Sequence, residues 1–203
     1  MNELKAKPGR PKTLDPTHVI NVATLAYWEH GPTDVPISEI CDIAGTSKPA
    51  LYREFGNDDG LRVAVLEQYR STVLEALFTM LSQNKPFMAI VEDVLDMIVP
   101  LDANDEVPQG CLVIAMRGRR GRLGEKTITK LDQLQNEQVE VYRQWILTCQ
   151  ANGSVRAELS PEMTASYCNL QFTGAMQLHR EGISNAEIAQ GLRTAFGTLA
   201  VLQ

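Results

Sequence analysis

Residues 37–56 read ISEICDIAGTSKPALYREFG, and this stretch constrains the fold more than any other. Ile37, Ile40, Cys41 and Ala44 recur at helical spacing and share one face of a short helix over 37–44. Gly45 stands where a helix C-terminus wants a left-handed residue. Ser47 can cap a further helix to Phe55, and its Pro49 lies in the first turn, where a missing N–H costs nothing. Two short helices around a glycine turn, with small or apolar Ile40, Cys41, Ala44, Leu51 and Phe55 where they touch, make a helix-turn-helix.

Helical signals continue on both sides. Asp15-Pro16 reads as an N-cap followed by proline at the first helical position. Val19, Ile20, Ala23, Ala26, Tyr27 and His30 then face inward, and Gly31-Pro32 stops that helix. Asn57 can cap a long helix over 58–82, with Leu66, Tyr69, Val73, Leu77 and Met80 as its apolar stripe. Pro86 opens a helix to about Val99, and PLDANDEVPQG over 100–110 is a loop. A short apolar segment, Cys111–Met116, precedes the basic, glycine-broken RGRRGRLG. Residues 125–151 form one long helix, 160–180 another, and Ser184 with Glu187 is a capping box for the last, to about Leu202. No segment alternates with period two, so the fold class is all-α. With 44% hydrophobic and 22% charged residues, the chain has globular composition.

In a helix-turn-helix the second helix enters the major groove, its N-terminal residues nearest the base edges. Thr46, Ser47, Lys48 and Ala50 are so placed, and Tyr52 and Arg53 can reach phosphate. The net charge of −6 looks wrong for a DNA ligand. Its distribution corrects that impression, because Lys5, Lys7, Arg10 and Lys12 face only Glu3 in a proline- and glycine-broken arm. Phosphate contacts are local, so a short basic arm on an acidic body still grips a duplex.

At these residues the chain resembles the TetR family of bacterial transcriptional regulators. Gly9-Arg10-Pro11 resembles its arm, and Ala23, Tyr27 and Gly31 match its first helix. Ile40, Gly45, Ser47, Lys48, Leu51, Tyr52, Phe55, Gly56 and Leu61 match the rest in register without a gap. Gly110-Cys111-Leu112-Val113 looks like a segment common in one branch of the family, and beyond it only the helix layout agrees. The resemblance implies a three-helix DNA-binding domain over 1–56 and a larger helical domain over 57–203 that binds a ligand and dimerises. It further implies a homodimer on near-palindromic double-stranded operator DNA, released by a small effector. Three positions depart from the family. Pro36 replaces the usual Ser or Thr at the start of the second helix, leaving Ser38 as an alternative cap. Glu54 and Asp58 stand where His and Lys are usual, which would set two carboxylates near the DNA backbone.

Helices that wall the family's effector pocket carry Tyr69, Phe87, Met88, Trp145, Cys149, Tyr167 and Gln171 here, with Cys111 beside them. Such a set suits an apolar or aromatic molecule. Phe172 and Ala175 on one helix, and Ile188, Leu192, Ala195 and Leu199 on the next, form stripes that can pair with their symmetry mates in a dimer. The arginines at 117, 119, 120 and 122 have three readings: a solvated loop, a site for an anionic effector, or an auxiliary DNA contact. Cys111 is either a buried hydrophobe or, beside those arginines, a thiol sensor.

Other function classes find little support. Three scattered histidines and four separated cysteines argue against a metal or a disulfide frame, and no cofactor is expected. There is no nucleophile elbow, P-loop or dinucleotide motif for an enzyme to use. No apolar run reaches about 18 residues, so no membrane span is expected. The first twelve residues lack an apolar h-region, so no secretory signal is expected, and the separated cysteines suit a reducing cytoplasm. The rivals are a thiol-based sensor on the same DNA-binding domain and a helical interaction protein that no longer binds DNA.

Overall fold

A computed structural model of the chain describes residues 14–99 and 108–201. Arg10 and Lys12 of the arm lie outside the described residues.

Side chains just ahead of several helices fix where those helices begin. Asp15 Oδ1 accepts the N–H groups of Thr17 at 3.0 Å and His18 at 3.3 Å, opening α1 (Pro16–His30). Gly31 closes it with φ of 97°, a conformation other residues rarely adopt. Val19, Ala23, Ala26, Tyr27 and Trp28 are the buried face, whereas His30 is exposed and Ile20 only half-buried. α2 (Ile37–Ile43) follows Pro36 without any side-chain cap, so Ser38 does not take that role. Ser47 Oγ accepts from Ala50 N at 3.4 Å at the head of α3 (Lys48–Phe55). Asn57 Oδ1 accepts from Gly60 N at 2.9 Å at the head of α4 (Asp58–Tyr69).

The long helix expected over 58–82 is interrupted. A π-helical turn, Arg70–Leu74, joins α4 to α5 (Glu75–Leu81). Its extra residue shifts the buried stripe by one position. Leu66 and Tyr69 are buried as the spacing predicts, but beyond them Leu74, Phe78 and Leu81 replace Val73, Leu77 and Met80 as the fully buried set.

The rest of the described chain is α6 (Phe87–Ile98), α7 (Leu112–Arg117), a 3-10 turn (Arg120–Arg122), α8 (Glu125–Ala151), α9 (Pro161–Arg180) and α10 (Asn185–Gly197). Ser160 and Ser184 cap the last two helices. α10 stops short of Leu202, and Ala200 instead forms an isolated antiparallel bridge with Val155. No strand occurs among the described residues.

Two apolar clusters hold these helices together. The first joins α1–α5 to α7 and to Leu131 and Leu134 of α8. The second joins α6, α9 and α10 around Tyr142, Trp145, Ile146 and Cys149 of α8. At about 1.5 Å per residue, the 27 residues of α8 span some 40 Å and run through both.

Candidate nucleic-acid interface and ligand cavity

The helix-turn-helix is built on Ile40 and Leu51, both without exposed surface, with Cys41 beside them. Gly45, with φ of 63°, makes the turn between α2 and α3. This packing turns the start of α3 outward. Ser47, Lys48 and Arg53 are exposed, and Thr46, Ala50 and Tyr52 are half-buried. Lys48 Nζ lies 5.1 Å from the centre of the Tyr52 ring. The Tyr52 hydroxyl donates to Asp58 Oδ1 at 2.5 Å. That bond is the first cause holding the Tyr52 phenol above its ordinary titration range. Asp58 is therefore half-buried and engaged with α3 rather than free beside the duplex, whereas Glu54 is exposed as expected.

α4 is tied to α8 through a contact that sequence reasoning missed. Asp59 accepts the backbone N–H of Lys126 at 3.0 Å and that of Thr127 at 3.1 Å, together with the Thr127 hydroxyl at 2.5 Å. It thereby caps α8, whose own cap position, Gly124, has no side chain to do so. Burial raises the Asp59 pKa, but these bonds outweigh it and the net shift is downward. Gly124 must be glycine here, because a Cβ would stand 2.2 Å from Asp59 Cγ.

The arginine cluster is neither simply solvated nor free. Arg119 donates to Asp34 in the α1–α2 loop at 3.0 and 3.3 Å, and Arg122 reaches the same carboxylate at 3.5 Å. Arg120 makes a two-pronged pair with Asp132 of α8 at 2.6 and 2.7 Å. Arg117 alone turns toward a cavity and donates to Gln135. The basic run thus pins the helix-turn-helix unit to α7 and α8.

That cavity measures about 1340 Å³ and lies where α1 meets the larger helical body. Leu25, Trp28 and Glu29 of α1 border it, opposite residues of α4–α6, α8 and α9. Of the eight pocket residues expected from sequence, Tyr69 and Cys111 line this space, with the Tyr69 hydroxyl 3.5 Å from Cys111 Sγ. The other six do not. Phe87 is fully buried and stacks on Trp145 with ring centres 4.9 Å apart, deep in the second cluster. Cys149 belongs to the same cluster, and Met88 packs against it. Tyr167 donates to the Ala195 carbonyl at 3.4 Å, and Gln171 is half-buried away from the cavity. The second cluster is so well filled by its own rings that the open space falls between the clusters instead. Tyr142, Arg117 and His179 border that space.

The residues of the expected dimer stripes pack within their own chain. Phe172, Ala175, Ile188 and Leu192 are buried inside the second cluster, where Phe172 and Phe196 lie 4.8 Å apart. Leu199 packs against that cluster and Ala195 is half-buried. These residues hold α9 and α10 to their own chain. The apolar side chains left exposed on α9 are Met163, Leu170 and Leu178.

Burial pushes the thiols of Cys41 and Cys168 up, and that of Cys149 up to about 11. Among the described residues no group of His, Cys, Asp and Glu side chains could hold a metal ion. No helix among them is long and apolar enough to cross a membrane.

Comparison with known proteins agrees with this architecture. Residues 19–65, from α1 into α4, match the family described as bacterial regulatory proteins, tetR family. The chain is 24% identical over 188 residues to the HTH-type transcriptional repressor ComR of Escherichia coli (strain K12), covering 92% of this chain and 90% of ComR. The regulatory protein TetR from Rhodobacter sphaeroides superimposes with a TM-score of 0.80 at 20% identity, over 91% of this chain and 98% of that one. A cysteine-substituted form of the TetR family transcriptional regulator CifR, crystallised with a 26 bp double-strand operator, superimposes with a TM-score of 0.80 at 19% identity, over 94% and 100% of the two chains. The helix-turn-helix and the helices flanking it thus match the tetR family of bacterial regulatory proteins, and the fold of the chain is similar to that of such regulators.

Proposed function

We propose that the chain is a transcriptional repressor that binds operator DNA as a homodimer and lets go when a small molecule fills the cavity. One observation carries this reading: α1, a helix of the DNA-binding unit, forms part of the cavity wall. Filling the space changes how α1 sits against α4, α7 and α9. Two recognition helices must stand about one duplex turn apart, roughly 34–36 Å, so a small pivot of each unit ends simultaneous engagement.

Residues 1–56 act as the DNA-binding domain and 57–203 as the effector and dimerisation domain. Thr46, Ser47, Lys48 and Ala50 approach base edges, Arg53 meets phosphate, and Arg10 with Lys12 enters the minor groove. The single donor of Tyr52 is directed at Asp58, so a phosphate contact by Tyr52 requires that bond to switch. The dimer forms through the exposed face of α9, where Met163, Leu170 and Leu178 are supported by exposed Gly191 and Gly197 of α10.

A second reading makes the trigger a modified thiol. It is favoured by Cys111, which borders the cavity and is not buried, unlike the other three cysteines.

Fluorescence anisotropy on a duplex from the gene's own upstream region tests the proposal. Specific binding with a two-fold site is the expected result, and binding that is weak and sequence-independent would overturn it. Release by a thiol reagent, abolished in Cys111→Ser, would favour the second reading.

A further inference from the structure

The chemistry of the cavity wall narrows what it binds. Resting on the reading of this cavity as the effector site, we infer that its ligand is an amphipathic organic anion whose carboxylate is taken by Arg180. Arrival of the carboxylate draws Arg180 away from α1.

Three observations support this. The cavity wall has an apolar part, made by Val73, Leu77, Val94, Met97 and Phe172 from α5, α6, α9 and the π-helical turn. The same wall also carries hydrogen-bond donors. Arg117 and Arg180 both border it, and neither lies within ion-pair distance of a carboxylate among the described residues, unlike Arg119, Arg120 and Arg122. Among the described residues Glu29 is the carboxylate on that wall, and its side chain is 65% exposed to solvent beside His30.

The second observation concerns groups left without partners. Trp28 is 8% exposed and His179 is 9% exposed, and both border the cavity. Neither the indole N–H of Trp28 nor Nδ1 of His179 has a hydrogen-bond partner among the described residues. Buried polar groups are rarely left so, and an indole N–H can only donate. A ligand that satisfies it must carry an acceptor. A carboxylate supplies two acceptor oxygens and the charge that suits two guanidinium groups with no ion-pair partner among the described residues.

The third observation connects binding to the DNA-binding unit. Arg180, at the end of α9, donates through Nη2 to the Glu29 carbonyl in the last turn of α1 at 3.3 Å. A neutral carbonyl is a weaker partner for guanidinium than a carboxylate. A bound acid therefore competes for the group that holds α1 to α9, and this competition is the contact that differs between the two states.

The test uses two matched probe pairs, decanoate with decanol and naphthylacetate with naphthylethanol, titrated calorimetrically into the full chain. At least one acid should bind about tenfold or more tighter than its alcohol, and Arg180→Gln should bring that ratio close to one. Arg180→Lys, which keeps the charge, should retain part of the preference. Thermal melts of both variants establish that they are folded. Equal binding of acid and alcohol, binding of neither pair, or a preference unmoved in folded Arg180→Gln would each overturn the assignment. Operator anisotropy with the same acids separates ligand class from release. An acid that binds through Arg180 yet leaves operator affinity unchanged upholds the ligand class and sinks release by cavity filling.

Discussion

The hydroxyl of Tyr52 donates to the carboxylate of Asp58 at 2.5 Å, joining the recognition helix α3 to the first turn of α4. The Lys48 ammonium lies over the same ring. Lys48, the Tyr52 ring and the N-terminus of α4 thus form one unit. α4 is joined to α3 through side chains as well as through Gly56 and Asn57.

Asp58→Lys should therefore do two opposite things. It removes the acceptor for a hydrogen bond to a charged group, a change that costs about 1–3 kcal/mol, and places a cation where the helix macrodipole favours an anion. It also replaces a negative charge near the duplex with a positive one, so operator affinity at low salt should rise by roughly tenfold and the advantage should shrink as salt increases. Denaturant melts and anisotropy at several salt concentrations read the two effects. A double-mutant cycle of Tyr52→Phe with Asp58→Ala should give a coupling of at least about 0.5 kcal/mol. A coupling near zero would show the bond contributes nothing.

Much of the local architecture is legible in the sequence because its causes are local. Asp15, Ser47, Asn57, Ser160 and Ser184 each cap the helix they precede, and each acts within three residues of its partner. The site is less legible. An apolar stripe shows that a helix face is buried but not against what, so Ile188 and Leu192 read as a dimer face while they fill their own chain's core. Phe87 and Trp145 look like pocket walls for the same reason. The π-helical turn adds one residue to the spacing and leaves no composition mark. The Asp59–Thr127 contact spans 68 residues, beyond the reach of any spacing rule.

The basic arm lies outside the described residues, and its role is predicted from Arg10, Pro11 and Lys12 alone. Deleting residues 1–12 should weaken operator binding and flatten its salt dependence, by about 0.9 in the log–log slope for each phosphate the arm neutralises. An unchanged slope would count against any contact by the arm.

The dimer face proposed on α9 sets two leucines against each other. Leu170 on α9 is 66% exposed, whereas Leu192 on α10 is 4% exposed. Leu170→Glu should fold normally, sediment as a monomer and no longer bind operator tightly. Leu192→Ala should instead destabilise the fold by about 2–5 kcal/mol, the usual cost of truncating a packed leucine. A dimeric Leu170→Glu would place the interface elsewhere.

Asp59 and Gly124 offer a prediction with a pH signature. The Asp59 pKa in the folded chain lies below its ordinary 3.8, because the N–H groups of Lys126 and Thr127 and the Thr127 hydroxyl favour the ionised form. A carboxylate with a depressed folded value stabilises fully above its unfolded value, and the contribution disappears as pH falls through the folded one. Asp59→Ala should therefore cost about 1–3 kcal/mol at neutral pH, as removal of a partly buried charged cap does, and the difference from wild type should shrink as pH drops below 3.8. Gly124→Ala should mimic it, since the added Cβ, 2.2 Å from Asp59 Cγ, displaces the carboxylate from the head of α8. Paired with Asp59→Ala, the glycine substitution should cost much less than it does alone, because the atom it strikes is gone. Urea melts of the two single variants and the double variant at neutral and acid pH read all of this. Additive destabilisation, or a wild-type-to-Asp59→Ala gap that stays constant with pH, would show that the carboxylate does not hold α8 to α4.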